Sequence, residues 1–155
     1  MIRSLAILSA GLAVAAGPAT AAQDPNLVKA QAVVAGRCAK GTSPHDSTMW
    51  MSGWTFNALL GDCGGGDGHD QHVWFFVGGS LVGTDAPRSS AEIIGLWRND
   101  RTMAFLYVLY RPRDALCCAT GGGAVVRFRL DGRRVVALDP LPPRAASSAR
   151  PGRYP

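Results

Sequence analysis

Apolar and polar positions divide the chain into three stretches of different character. The first is an almost unbroken apolar run from Leu5 to Ala16, preceded by Met1-Ile2-Arg3 and broken by Gly17-Pro18. Beyond it, Asp24-Pro25 reads as an N-cap followed by proline at the first helical position, and Gly36 is a suitable stop. Leu27, Ala30 and Val34 fall on one side of that short helix. Gly41 to Thr48 is polar and reads as a loop. Thr48 to Leu60 then gathers Trp50, Met51, Trp54, Phe56, Leu59 and Leu60 into one core segment whose type the pattern does not fix.

From His72 the text is β. Val73 to Val77 is aromatic and β-branched, Gly78-Gly79 is a two-residue hairpin signal, and Leu81 to Thr84 returns. Glu92 to Arg98 is the next strand, turned by Asn99-Asp100. Thr102 to Arg111 follows, with Met103, Phe105, Tyr107 and Leu109 on one face and Ala104, Leu106, Val108 and Tyr110 on the other. A strand apolar on both faces is expected to be central and covered twice. Arg111 to Gly123 is a long connection. Ala124 to Leu130 and Arg133 to Leu138 form a last hairpin about Asp131-Gly132, read as a type I′ turn. Short turns between consecutive strands predict an antiparallel meander. The expected fold is therefore α+β and β-rich, one meander sheet with a short N-terminal helix.

The apolar run is shorter than the roughly 20 residues a bilayer requires. Ala19-Thr20-Ala21 after it has the small-x-small form of a signal peptidase site. Residues 1–22 are thus expected to be a signal peptide, cut after Ala21 or Ala22. A cysteine at the cleavage site, needed for lipid attachment, is missing, since the first is Cys38. The expected product is secreted or extracytoplasmic, without a lipid on an N-terminal cysteine. Loss of Arg3 and no acid lowers the net charge from +5 to +4. Residues 23–143 make one domain. Residues 144–155, rich in Pro, Arg, Ala and Ser, read as a disordered tail.

Cys38, Cys63, Cys117 and Cys118 follow the signal, and an even count after export reads as disulfides. Adjacent residues on a strand point to opposite faces, so Cys117 and Cys118 are expected to part. The favoured arrangement sends one to Cys38 and the other to Cys63, each bridge closing a long loop at about 4 kcal/mol of chain entropy.

Leu106 to Tyr110, Cys117-Cys118, the glycines from Gly121 and then "VVRFRLDGRRVVALDPLPP" together resemble the LppP/LprE family of actinobacterial envelope lipoproteins. "VWFFVGGSLVGTDAP" is similar to that family's glycine-turn strand, and Cys63 stands about where the family has a cysteine. The resemblance spans roughly residues 63–143. It implies an extracytoplasmic address and a compact β-containing domain, and it brings no reaction and no catalytic residues.

The sharpest chemical constellation is "DCGGGDGHDQH", where Asp67, His69, Asp70 and His72 could hold a divalent ion. The spacing matches no named motif. Ser47 and Ser52 lie near His45 without a nucleophile elbow, and "GGGDG" and "GTDAPRSS" lack the features of phosphate loops. Arginine is the other signal: about an Asp131-Gly132 turn, Arg129 faces Arg134 with Arg127 on the same side, and Arg111 could join them. Like charges so placed are unfavourable, which points to a different turn length or to a surface kept basic for an anionic partner. The partners expected are an anionic envelope polymer, lipid head groups or an envelope protein. Nucleic acid and cofactors are not expected.

The reading is a small non-enzymatic envelope or secreted protein that binds a ligand. A metal-dependent enzyme using the His69/His72 loop and a structural component of an envelope assembly are the alternatives. Intact-mass measurement of the secreted protein before and after reduction checks the cysteine reading. Two bridges among four cysteines gain four hydrogens, and an unchanged mass refutes them.

Overall fold

The computed structural model describes residues 23–37, 43–63, 70–87, 90–115 and 117–143. Helix α1 spans Pro25–Ala35. The Asp24 carboxylate caps it by accepting from the Asn26 N–H at 2.9 Å, and it accepts from the Trp50 indole at 3.0 Å. These bonds, the indole's foremost, hold the Asp24 carboxyl below its ordinary range. One side chain thus starts the helix and ties it to the segment that precedes the first buried strand.

Eight strands follow: β1 Ser43–Asp46, β2 Phe56–Asp62, β3 Gln71–Val77, β4 Ser80–Thr84, β5 Ile93–Arg98, β6 Thr102–Val108, β7 Gly123–Asp131 and β8 Arg134–Ala137. They form two antiparallel four-stranded sheets, ordered β1-β2-β3-β4 and β5-β6-β7-β8. The meander expected from the sequence is therefore two meanders. Phe56, Ala58, Leu60, Val73, Phe75 and Val77 of the first sheet meet Ile93, Met103, Phe105, Tyr107, Val126, Phe128 and Leu130 of the second in one core. Phe75 stands at its centre, with its ring centroid 4.9 Å from Phe128, 5.9 Å from Phe56 and 6.0 Å from Phe105. On the opposite face of the first sheet, Leu59, Trp74 and Phe76 pack with Trp50 against Ala30 and Val34 of α1. The order of layers is helix, sheet, sheet.

That order corrects the strand expected to be covered twice. Every residue of β2 is buried, because α1 lies over one face of the first sheet and the second sheet over the other. In β6 the inward Met103, Phe105 and Tyr107 are buried, but Leu106 and Val108 on the other side are only partly so. No described element covers them. The segment read as a polar loop contains β1, an edge strand paired with β2.

Three strands carry one extra residue each, at His45 in β1, Val82 in β4 and Leu96 in β5, where the pairing shifts register. The bulge in β5 resets which residues point inward. Before it, Gly95 pairs with the inward Phe105, and a Cβ there would stand 2.7 Å from Met49 Cγ. After it, Trp97 pairs with Ala104 and Arg98 with the inward Met103. The Arg98 guanidinium thereby donates to Met49 O, Asn57 Oδ1 and Phe56 O at 2.7, 2.8 and 2.6 Å, and it lies 4.6 Å over the Trp54 ring. One strand's extra residue so turns an arginine into a tie between the two sheets.

Glycines set two of the hairpin turns. Gly78 and Gly79, at φ 55° and 77°, join β3 to β4 as a type I′ turn requires. In the last hairpin the turn lies one residue later than expected. Asp131 pairs with Arg134, so the turn residues are Gly132 and Arg133, with Gly132 at φ 61°. Arg129 consequently faces Val136 rather than Arg134. The like-charge contact is thereby avoided, and Arg134 stands opposite Asp131 in the register.

Truncating the central ring should be costly: Phe75→Ala is expected to lower unfolding stability by about 3–5 kcal/mol. Urea titration of the two proteins checks this. A loss under about 1 kcal/mol would mean that the two sheets do not pack on Phe75.

Candidate functional site

The chain crosses from the first sheet to the second between Thr84 and Ile93, and a polar cluster closes this seam. The Asp85 carboxylate is fully buried. It accepts from the Val73 N–H at 3.0 Å and from the Tyr107 hydroxyl at 2.8 Å, and His72 Nδ1 lies 3.3 Å from it. Beside it, Gln71 Oε1 accepts from the Ile93 N–H at 2.7 Å, and the Gln71 and Ser90 backbones exchange hydrogen bonds of 2.6 and 2.9 Å. Burial first, and then the Asp85 charge, pushes the Tyr107 phenol far above its ordinary value. Asp85 directly follows β4 of the first sheet and Tyr107 lies in β6 of the second, so the cluster is a clamp across the sandwich. The sequence put Tyr107 on one apolar face of its strand with Met103 and Phe105, and Asp85 was missed, because nothing in Gly83-Thr84-Asp85-Ala86-Pro87 distinguishes a buried carboxylate from one in an exposed turn.

The clamp also shows where the proposed metal loop leads. His72 is mostly buried and turns one ring nitrogen to Asp85, and its ring lies 5.6 Å from that of Trp74. Asp70 precedes it at a positive φ of 62°. Asp67 and His69 lie outside the described residues. Among the described residues no three His, Cys, Asp or Glu side chains converge as a metal site, and no hydroxyl or thiol is hydrogen-bonded to His72.

Cys117 and Cys118 do not part. Their sulfur atoms lie at disulfide-bonding distance from each other, with Cα atoms 3.8 Å apart. Cys63 is partly buried on the helix side of the first sheet, and Cys38 lies outside the described residues. The expectation failed because alternation of faces belongs to strands, and β6 ends at Val108, leaving the pair in a turn. Asp114 shapes that turn. Its carboxylate accepts from Arg111 N, Thr120 N and Thr120 Oγ1, all at 2.7 Å, which holds its carboxyl below the usual range.

The four arginines singled out from the sequence have different settings. Arg111 belongs to the Asp114 turn, beyond the end of β6 opposite to the one where Thr102 pairs with Arg129. Arg127 is matched by Asp139, with Nε–Oδ2 2.8 Å and Nη2–Oδ1 2.9 Å. That pair, partly open to solvent, holds the Asp139 carboxyl down to about 2. Arg129 and Arg134 are exposed and make no ion pair among the described residues.

Arg127, Arg129 and Arg134 stand on the outer face of the second sheet, whose rows follow from the register. Ile94, Leu106 and Val125 form one row; Trp97, Ala104 and Arg127 the next; Thr102, Arg129 and Val136 the third; and Asp131 with Arg134 the last. Ile94, Trp97, Val125 and Val136 are all exposed, with Val125 half open to solvent. Leu96, in the bulge, and Leu138 and Leu141, beyond β8, add further exposed apolar surface. A depression of about 430 Å³ lies at the basic end, lined by Arg101, Thr102, Arg129 and Asp131 among others. The face thus runs from an apolar row to an end where Arg101, Arg129 and Arg134 stand among Asp100 and Asp131. Sequence reasoning found its arginines but not the apolar side chains beside them, because it treated the aliphatic positions of β5 to β7 as core.

A family model, LppP/LprE lipoprotein, matches residues 53–133, from the turn before β2 to the turn after β7. The chain belongs to that family, a lipoprotein-type family of the cell envelope. The match stops before the Leu-Asp-Pro-Leu-Pro-Pro ending. Neither the curated proteins nor the solved structures include a match. No described helix is long and apolar enough to cross a membrane.

The clamp makes a prediction at high pH. Tyr107 stays protonated in the folded protein after tyrosines of the unfolded chain ionise, so its contribution is complete below about pH 10 and falls as pH rises further. Urea titrations above that pH should show stability dropping by up to about 1.4 kcal/mol per pH unit from this group. Tyr107→Phe should flatten the slope by that amount. An equal slope in the variant would show that the phenol is not held neutral by the fold.

Proposed function

We propose that the protein is an exported, non-enzymatic envelope module that docks through the outer face of its second sheet onto an anionic lipid surface. The observation that carries this reading is a face without a cover among the described residues, on which exposed Ile94, Trp97, Val125 and Val136 stand near Arg129 and Arg134, neither in an ion pair there. A soluble polyanion would engage Arg129 and Arg134 but offers nothing to Ile94, Trp97 or Val125. A bilayer interface meets both needs, since aromatic and aliphatic groups enter the head-group boundary while arginines remain with the phosphates. The positive net charge of the chain favours approach to such a surface. Export by a cleaved signal peptide would deliver the protein to the side of the membrane where envelope proteins of this family reside.

Sedimentation of the purified chain with vesicles tests the reading. Binding is expected to vesicles containing phosphatidylglycerol and not to pure phosphatidylcholine, and it should weaken as salt rises. Each arginine near an anionic surface contributes about 1 kcal/mol, so Arg129→Ser with Arg134→Ser should weaken binding more than tenfold. Trp97→Ala should weaken binding in a manner independent of salt. Absence of vesicle binding, or capture by a soluble anionic polysaccharide in its place, would overturn the lipid assignment.

A further inference from the structure

We propose that Cys117 and Cys118 form a reversible dithiol–disulfide site that exchanges with low-molecular-weight thiols while the rest of the fold stays in place. Three observations carry this. A bond between adjacent residues encloses no loop, so it removes almost no freedom from the unfolded chain and has no stapling role. Cys63 differs, since it is partly buried against the helix-side core and its N–H donates to Asp70 O at 3.0 Å. Secondly, both members of the pair are exposed, so a thiol can reach either sulfur.

Thirdly, the turn that presents the pair is held by other bonds. Asp114 gathers Arg111 and Thr120 through three hydrogen bonds. Leu109 and the glycines close the base, with Gly121 N donating to Leu109 O and Leu109 N donating to Gly122 O, both at 2.9 Å. Gly121 lies so close to Leu109 that a Cβ there would meet its carbonyl carbon at 2.8 Å. Cys118 N donates to Ala115 O at 2.9 Å within the turn. None of these contacts uses a cysteine sulfur. The pair can open and close on a platform that does not depend on it.

The exchange balances. The thiolate of one small thiol attacks a sulfur of the pair, the S–S bond breaks, and the departing cysteine sulfur takes up a proton. A second small thiol attacks the resulting mixed disulfide, releasing the oxidised small disulfide and freeing the second cysteine thiol. Two small thiols are oxidised and one protein disulfide is reduced. The reverse reaction restores the pair.

The test is graded reduction of the folded full chain with glutathione, followed by alkylation and peptide mass mapping. The Cys117–Cys118 peptide should become labelled at least about tenfold faster than that of Cys63, with an unchanged circular dichroism spectrum. In Cys118→Ser, oxidised glutathione should convert Cys117 to a mixed disulfide with the added mass of one glutathione, releasing one reduced glutathione, whereas the parent pair should close instead. The double variant Cys117→Ser with Cys118→Ser should keep the melting temperature of the parent. Labelling of Cys63 at an equal or earlier time, labelling only under denaturant, or a marked loss of melting temperature in the double variant would each overturn the proposal.

Discussion

The first sheet has no side for water, and the rest of the structure is arranged around that constraint. β2 is buried along its whole length and β3 nearly so. A sheet apolar on two faces must be covered twice, so the helix goes to one face and the second sheet to the other. The specific ties serve the same end. Asp24 fixes α1 to the Trp50 segment, Arg98 ties β5 to the start of β2, and Asp85 reaches Tyr107 across the seam. Each is a polar group that anchors an apolar layer at its margin, where hydrophobic packing alone leaves the layers free to slide.

The second sheet covers the first, and among the described residues nothing covers its own outer side. Its inward side has strict alternation, seen in β7 as Val126, Phe128 and Leu130 buried between exposed neighbours. Its outward side keeps aliphatic and aromatic groups that a soluble edge of a sandwich does not need. This asymmetry between the sheets gives the molecule a defined front, separate from the buried clamp and from the cysteine turn.

Local chemistry was legible in the sequence, and relations between distant segments were not. The ends of α1 follow from Asp24, Pro25 and Gly36, and the β3–β4 turn from two glycines, because caps and tight turns are written in neighbouring residues. The division into two sheets was hidden, since the passage from Asp85 to Glu92 looks like any other connection in a meander. Apolarity on both faces pointed to β6 rather than β2, because a chain spends the same residue types on a covered face as on one left open for contact. The β7–β8 turn slipped by one residue for a simpler reason: Asp-Gly and Gly-Arg can both fill a two-residue turn, and only the pairing of Asp131 with Arg134 decides between them.

The bulges have a consequence for how the molecule meets others. Two open sheets leave four free edges, β1, β4, β5 and β8. The first three are each interrupted by an extra residue, β1 also contains Pro44, and the short β8 is followed by Pro140, Pro142 and Pro143. Such edges offer a broken row of backbone donors and acceptors, which discourages strand addition by a second copy or by an unfolded neighbour. What the fold leaves open for contact is therefore side chains on a face rather than a continuous backbone ladder.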